Sequence, residues 1–339
     1  MNQIFQSKSN IYNLILFMFF LMASCKNNKK DLAVLPKDPT ERGIALYTDS
    51  ILSAPKNAVY YYERALLYWK KNEMELALND FYKVNVFDST NAKYYATIGE
   101  FMLENGNMDR ATMALNKAIE FAPENPYYHM LAGKFHIYSK DYQTAINHLN
   151  NALKREPTFA EAYFYKGFAY KESNNFEKAL SNFTTATEQN PSWDEPYEQI
   201  GELYAQRKDS KAIVYFDNAV KVNRQNTSAR LSKAYFYKTI GKLEMAENAY
   251  NDIIALFPQN VDAIYSIGVI NFEKKKYDVA LKQFNIATKV DPTFPDAYFM
   301  IGKIEKINGN KEKAKAAFKQ ALVFDAEFKE AQDALNSLK

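Results

Sequence analysis

Six glycines recur at a fixed interval. Gly99, Gly133, Gly167 and Gly201 stand 34 residues apart, and Gly268 and Gly302 follow after steps of 67 and 34. The step of 67 is two periods less one residue. Prolines keep the same count at Pro55, Pro123, Pro157, Pro191, Pro258 and Pro292. Alanines agree, from Ala77, Ala111, Ala145 and Ala179 to Ala212, Ala246, Ala280 and Ala314. Four residues after each alanine comes a bulky side chain: Phe81, Leu115, Leu149, Phe183, Phe216, Tyr250, Phe284 or Phe318. A chain with this period builds one small unit many times, and each copy buries its apolar face on the next.

The spacing resembles that of a known helix–turn–helix repeat, and, with one copy counted from residue 160, that resemblance implies a role for each recurring type. A small residue at the eighth position, as at Gly167, and another at the twentieth, as at Ala179, let two helices approach. Aromatics fill the space so left. Proline at the thirty-second position ends the second helix, because it cannot continue the hydrogen-bond ladder. Gly106, Gly241 and Gly309 fall at the fifteenth position, a turn between helices that favours left-handed backbone. Pro126, Pro196 and Pro295 fall in the first turn of a first helix, where a missing N–H costs little. Only 10 Gly and 11 Pro are present in 339 residues, so these roles use nearly all of both.

The pattern Tyr163, Gly167, Tyr170, Ala179, Phe183, Ala186, Pro191 resembles the tetratricopeptide repeat. The resemblance implies an all-α solenoid, a right-handed superhelix of helix–turn–helix repeats. In this register eight repeats begin near residues 58, 92, 126, 160, 194, 227, 261 and 295 and run to 327. Residues 40–57 read as a half repeat that caps the start, and 328–339 as a capping helix with Phe328, Ala331, Leu335 and Leu338 on one face. The missing residue lies in Tyr204–Ile213, at the turn of the fifth repeat.

The N-terminus follows a different logic. In "LILFMFFLMASCKNNKK", nine apolar residues, Leu14 to Met22, precede Ala23, Ser24 and Cys25, the one cysteine of the chain. The run is too short to span a bilayer, which takes about 20 residues, and suits the apolar region of a secretory signal. Leu21-Met22-Ala23-Ser24-Cys25 resembles the lipobox of bacterial lipoproteins. That resemblance implies a signal peptide over 1–24, lipidation of Cys25, and a tether over 25–39. Lys26 after the cysteine, by analogy with other envelope systems, implies export and anchoring to the outer membrane, facing the periplasm.

The net charge of +3 comes from mixed signs, and no concentrated basic patch of the kind nucleic acid needs is present. No phosphate-binding glycine loop, G-x-S-x-G or H-E-x-x-H appears, so no catalytic residues, cofactor or metal are expected. His129, His136 and His148 all lie in the third repeat and read as side chains beside a groove and on a second helix. Asp194, Glu195, Glu198 and Glu202 read as a solvated acidic face.

In the tetratricopeptide family the second, fifth, ninth and twelfth positions line a groove. Carried onto this chain, they name Tyr62, Leu66 and Trp69, then Tyr127, Met130 and Ile137, Phe164 and Phe168. Next come Glu198 and Glu202, Leu231 and Tyr235, Tyr265 and Phe272, and Phe299, with Lys93, Glu100, Glu195, Lys303 and Lys306 beside them. The expected function is a non-catalytic envelope scaffold, membrane-bound by its lipid, that holds a peptide segment or partner protein. Two alternatives stand: an envelope enzyme using a groove carboxylate or His136, and a structural spacer that self-associates.

Overall fold

The computed structural model describes residues 36–338, so Cys25, the signal and most of the tether lie outside the described residues. Those residues form 18 helices and no strand. A first helix, α1 (Pro39–Ser53), precedes eight pairs. These are α2 (Ala58–Lys70) with α3 (Met74–Phe87), α4 (Ala92–Glu104) with α5 (Met108–Phe121), α6 (Pro126–Tyr138) with α7 (Tyr142–Arg155), and α8 (Ala160–Glu172) with α9 (Phe176–Gln189). Then come α10 (Asp194–Gln206) with α11 (Lys211–Val222), α12 (Thr227–Thr239) with α13 (Leu243–Leu256), α14 (Val261–Glu273) with α15 (Tyr277–Val290), and α16 (Pro295–Ile307) with α17 (Lys311–Phe324). A last short helix, α18 (Lys329–Asn336), closes the series. Among the described residues no helix is long and apolar enough to cross a membrane.

The chain divides into two compact units after Tyr94, within α4. In the first unit, Tyr62, Ala65, Ala77, Phe81 and Val84 form the core between α2 and α3. Arg64 holds the buried Asp80 with two parallel hydrogen bonds of 2.7 and 2.8 Å, and a third reaches Thr48 of α1 at 3.0 Å. No residue of α1 is fully buried. It lies against α2, where Leu67 fills the space left by the missing side chain of Gly43.

The second unit is a stack in which each first helix packs on its partner and each second helix packs on the first helix that follows. Within a pair, the glycine of the first helix receives the bulky residue of the second. A Cβ on Gly167 would sit 2.6 Å from Phe183, and one on Gly302 2.5 Å from Phe318. Those rings are fully buried. At the pair-to-pair junction, a polar side chain at the fourth position of a first helix bonds a backbone carbonyl six residues back. His129 meets the Pro123 carbonyl at 2.9 Å and the Tyr298 hydroxyl donates to that of Pro292 at 3.1 Å. Tyr61 repeats the bond to Pro55 in the first unit.

All eight turns between paired helices share one geometry. In each, an N–H bonds a carbonyl five residues earlier, as from Asp141 to His136 and from Lys276 to Asn271, which is how a left-handed residue ends a helix. The left-handed residue is Gly at 106, 241 and 309, but Asn72, Lys140, Asn174, Lys208 and Lys275 hold the same conformation. A lysine there carries a steric cost that glycine avoids. Lys275→Gly is therefore expected to raise stability by about 0.5–1 kcal/mol, read as a higher urea midpoint.

The residue missing from the fifth repeat is not lost from this turn. Lys208 keeps its φ of 55° and Asp209 its bond to Tyr204. Instead α11 has 12 residues where its counterparts have 14, and it starts tightly. The Ala212 N–H reaches back three residues to Asp209, whereas the Ala179 N–H reaches four, to Asn175. A 3₁₀ first turn absorbs the deletion.

Candidate functional site

Repeat order places the first helices of the second unit side by side on one face. Four of the residues expected to line a groove, Tyr62 of the first unit and three of the second, are interior. Tyr62 is 3% exposed, Met130 5%, Phe164 6% and Glu198 8%. All four are fifth-position residues, and the reason is a seam. Phe164 meets Trp193 at 4.4 Å between ring centroids, Tyr265 meets Phe294 at 5.2 Å, and Phe299 meets Phe328 at 5.0 Å. Each partner lies 29 residues on, at the start of the next first helix. The fifth position therefore packs one repeat on its successor. In the fifth repeat the same junction is polar: Asn226 donates to Glu198 at 3.1 Å and to Asp194 at 2.7 Å, and Ser228 also donates to Glu198.

The ninth and twelfth positions come closer to the surface. Tyr235 is 63% exposed and Tyr127, at a second position, 41%. Phe168 and Phe272 are half-buried, as are the fifth-position Tyr265 and Phe299, with Phe168 edge-on to Phe164 and Phe183. Lys303 lies over the rings of both Phe272 and Phe299, at 5.0 and 5.5 Å. In the first unit, Leu66 and Trp69 are half-buried, and Trp69 packs edge-on to Phe81.

Between α4 and α10 the face carries carboxylates among tyrosines. The Tyr127 hydroxyl donates to Glu100 at 3.4 Å. Lys134 lies over the Tyr165 ring at 5.6 Å. Burial pushes the Glu100 carboxyl above the usual range, opposed by Lys134. Burial, with Asp194 and Glu198 adding to it, pushes Glu195 up to about 7. Glu198 is raised by burial against the hydrogen bonds from Ser228 and Asn226. Tyr165 is raised by burial and by the field of Glu100, Glu161 and Glu195. Asp194, Glu195 and Glu198 form no ion pair among the described residues, while Glu202 pairs with Lys171 at 2.5 Å. Tyr165, at a sixth position, belongs to this band, and nothing in the repeat pattern marks it.

The three histidines converge away from this band. His148 on α7 lies between the two on α6, stacked on His136 at 5.5 Å and 9°, and 5.9 Å from His129. The buried Nδ1 atoms of His129 and His148 lack a hydrogen-bond partner. His136 faces Asp141 at 3.7 Å. Among the described residues, no group of three or more His, Cys, Asp or Glu is arranged to hold a metal ion. Burial, and then the two neighbouring imidazoles, hold the His148 ring down at about 4; His129 is lowered by burial as well. Both are thus neutral in the fold. The contribution of His148 is complete above the ordinary histidine value of about 6.5 and is lost as pH falls from there toward about 4. His148→Asn is expected to remove about 1–2 kcal/mol of acid lability after solvent screening. The readout is the wild-type-minus-variant difference in urea midpoint across that range, because the raised carboxylates shift stability in the opposite sense.

Models of the tetratricopeptide repeat match residues 92–125, 136–200, 237–293 and 295–327, together more than half of the chain. The chain belongs to the tetratricopeptide repeat family. Its repeats are 33% identical over 119 residues to RNA polymerase-associated protein CTR9 of Caenorhabditis elegans, a match covering 33% of this chain and 10% of that protein. They are 30% identical over 109 residues to tetratricopeptide repeat protein 14 of Mus musculus, covering 30% and 14%. The chain thus spans a small part of these curated relatives. Among solved structures, a tetratricopeptide repeat protein from Parabacteroides merdae aligns with a TM-score of 0.54 at 22% identity, over 73% of this chain and 98% of that one. PilW, a type IV pilus biogenesis factor, aligns with 0.50 at 20% identity, over 62% and 98%. At these identities the likeness establishes the fold.

Proposed function

We propose that this protein is a non-catalytic scaffold whose second unit holds an extended segment of a partner protein against its first-helix face. One observation carries the reading: the band of Glu100, Tyr127, Tyr165 and Glu195. Partly buried carboxylates set among tyrosines, Glu195 in no ion pair among the described residues and Glu100 in the field of Lys134 but in no ion pair with it, are costly in the free protein. Tyrosine is enriched where proteins meet, and a partner that supplies hydrogen bonds or charge offsets that cost. The proposal extends to the N-terminus: Cys25 carries lipid and tethers the scaffold to the outer membrane on its periplasmic side.

The two parts are tested separately. A photocross-linker placed at Tyr127 is expected to give a defined adduct in the native cell, with none from the exposed Val214 of α11. Equal adducts from both positions would sink the binding face. Cys25→Ser is expected to shift the protein from the membrane to the soluble fraction; retention on the membrane would remove the lipid anchor.

A further inference from the structure

Between α10 and α12 the first-helix face opens into a cleft of about 330 Å³. Its floor is apolar, made by the buried rings of Phe216 and Phe236. Glu202 and Gln206 stand on one wall, Ser232 and Tyr235 on the other. Tyr235 is the most exposed tyrosine of the first helices, with its ring standing beside an apolar floor and opposite a carboxylate.

This combination selects a side chain. A purely apolar occupant would leave Glu202 facing hydrocarbon. An acidic occupant would meet Glu202, with Glu195 and Asp194 farther along α10. An arginine or lysine satisfies both halves: its stem covers the phenyl rings and its charged end stays at the rim, between a carboxylate and an aromatic face. Glu202 retains capacity for it. Lys171 bonds only Oε2, so Oε1 is open to a second donor. Lys171 is held in turn by Gln199 at 2.6 Å. Lys208 also borders the cleft and is the one cation among the residues that line it.

The charge around the cleft extends the match beyond one side chain. Asp194 and Glu198 are fixed by Asn223, Asn226 and Ser228, neutral groups that position the carboxylates without cancelling them. We infer that the cleft between α10 and α12 receives an arginine or lysine side chain from an extended basic segment of the partner, with the rest of the segment running along α10. The inference rests on the reading that this face holds a partner segment, and adds the chemistry of that partner.

The test uses the full chain and two fluorescent peptides, one of Gly-Ser-Arg repeats and one of Gly-Ser-Glu repeats, followed by anisotropy at low salt. The arginine peptide is expected to bind and the glutamate peptide not to. Tyr235→Ala and Glu202→Gln are each expected to weaken arginine-peptide binding about five- to tenfold. Glu188→Gln, an exposed carboxylate on α9, is the control and is expected to leave binding unchanged. Tyr235 is exposed, so its removal leaves the core intact, which unfolding curves verify. Absence of arginine-peptide binding, equal binding of the glutamate peptide, or an equal loss in the control would each overturn the inference. If Tyr127→Ala weakens binding while Tyr235→Ala does not, the cleft is refuted and the wider face stands. If the cleft variants behave as expected but Tyr127 gives no cross-link in cells, the wider reading fails instead.

Discussion

Asn226→Ala is expected to destabilise the second unit by about 2–4 kcal/mol. One side chain there serves three groups. Its Oδ1 accepts the Ala229 N–H at 2.7 Å and so caps α12. Its Nδ2 donates to Asp194 at 2.7 Å and to Glu198 at 3.1 Å. Loss of a cap costs about 1 kcal/mol, and a buried acceptor left without its donor costs about 1–3 kcal/mol more. Asn226→Asp separates these contributions. It keeps the cap but sets a third carboxylate against Asp194 and Glu198. Its deficit should shrink on acidification, since burial already raises Glu198 and protonation there relieves the repulsion. The Ala variant lacks that added charge, so its deficit should not recover in the same way. Urea midpoints at neutral and acid pH measure both. A neutral Ala variant would mean that the polar junction adds nothing to the stack.

The second large effect is at Gly167. Gly167→Leu is expected to cost about 1–3 kcal/mol by overpacking. Even its Cβ would lie 2.6 and 2.7 Å from two atoms of the Phe183 ring, and that ring is fully buried against Phe164 and Phe168. The first and sixth repeats carry Ala65 and Ala234 at this position, opposite Phe81 and Tyr250. A methyl is therefore accepted where the pair is built around it, and the penalty belongs to imposing it on a glycine pair. Gly99 provides the contrast. A Cβ there meets nothing nearer than the Ala111 carbonyl at 3.3 Å, so Gly99→Ala should cost less than Gly167→Ala. Because neighbouring repeats stabilise one another, damage in the middle of the second unit should also broaden its unfolding transition. Identical unfolding curves for Gly99→Ala and Gly167→Ala would refute the role given to ring contact.

The eight-pair architecture was legible because its causes are local and recur. A glycine under a ring, a proline at a helix end and a left-handed turn each act within one period, so eight copies print the same spacing. The left-handed turns were only half legible. Gly106, Gly241 and Gly309 advertise them, whereas Lys140, Lys208 and Lys275 adopt them silently, held by the helix-ending hydrogen bonds around them. The deletion was legible to within Tyr204–Ile213 but not as turn or helix start, since a helix start can tighten as readily as a turn can shorten.

The candidate site divides along the same line. Position within the repeat named Tyr127, Glu202 and Tyr235; Tyr127 and Tyr235 are exposed, and Glu202 and Tyr235 border the cleft. It could not separate face from seam. Whether Phe164 or Glu198 meets solvent depends on what stands 29 or 28 residues later, Trp193 or Asn226. Nor could it bring His148 between His129 and His136, or set Tyr165 in the field of three carboxylates. The sequence by itself determined the repeat, because short-range sterics and hydrogen bonding dictate each hairpin. Tertiary structure alone decided exposure, charge environment and the cleft between α10 and α12, because those depend on how far apart stacked hairpins stand and which side chains fill the gap.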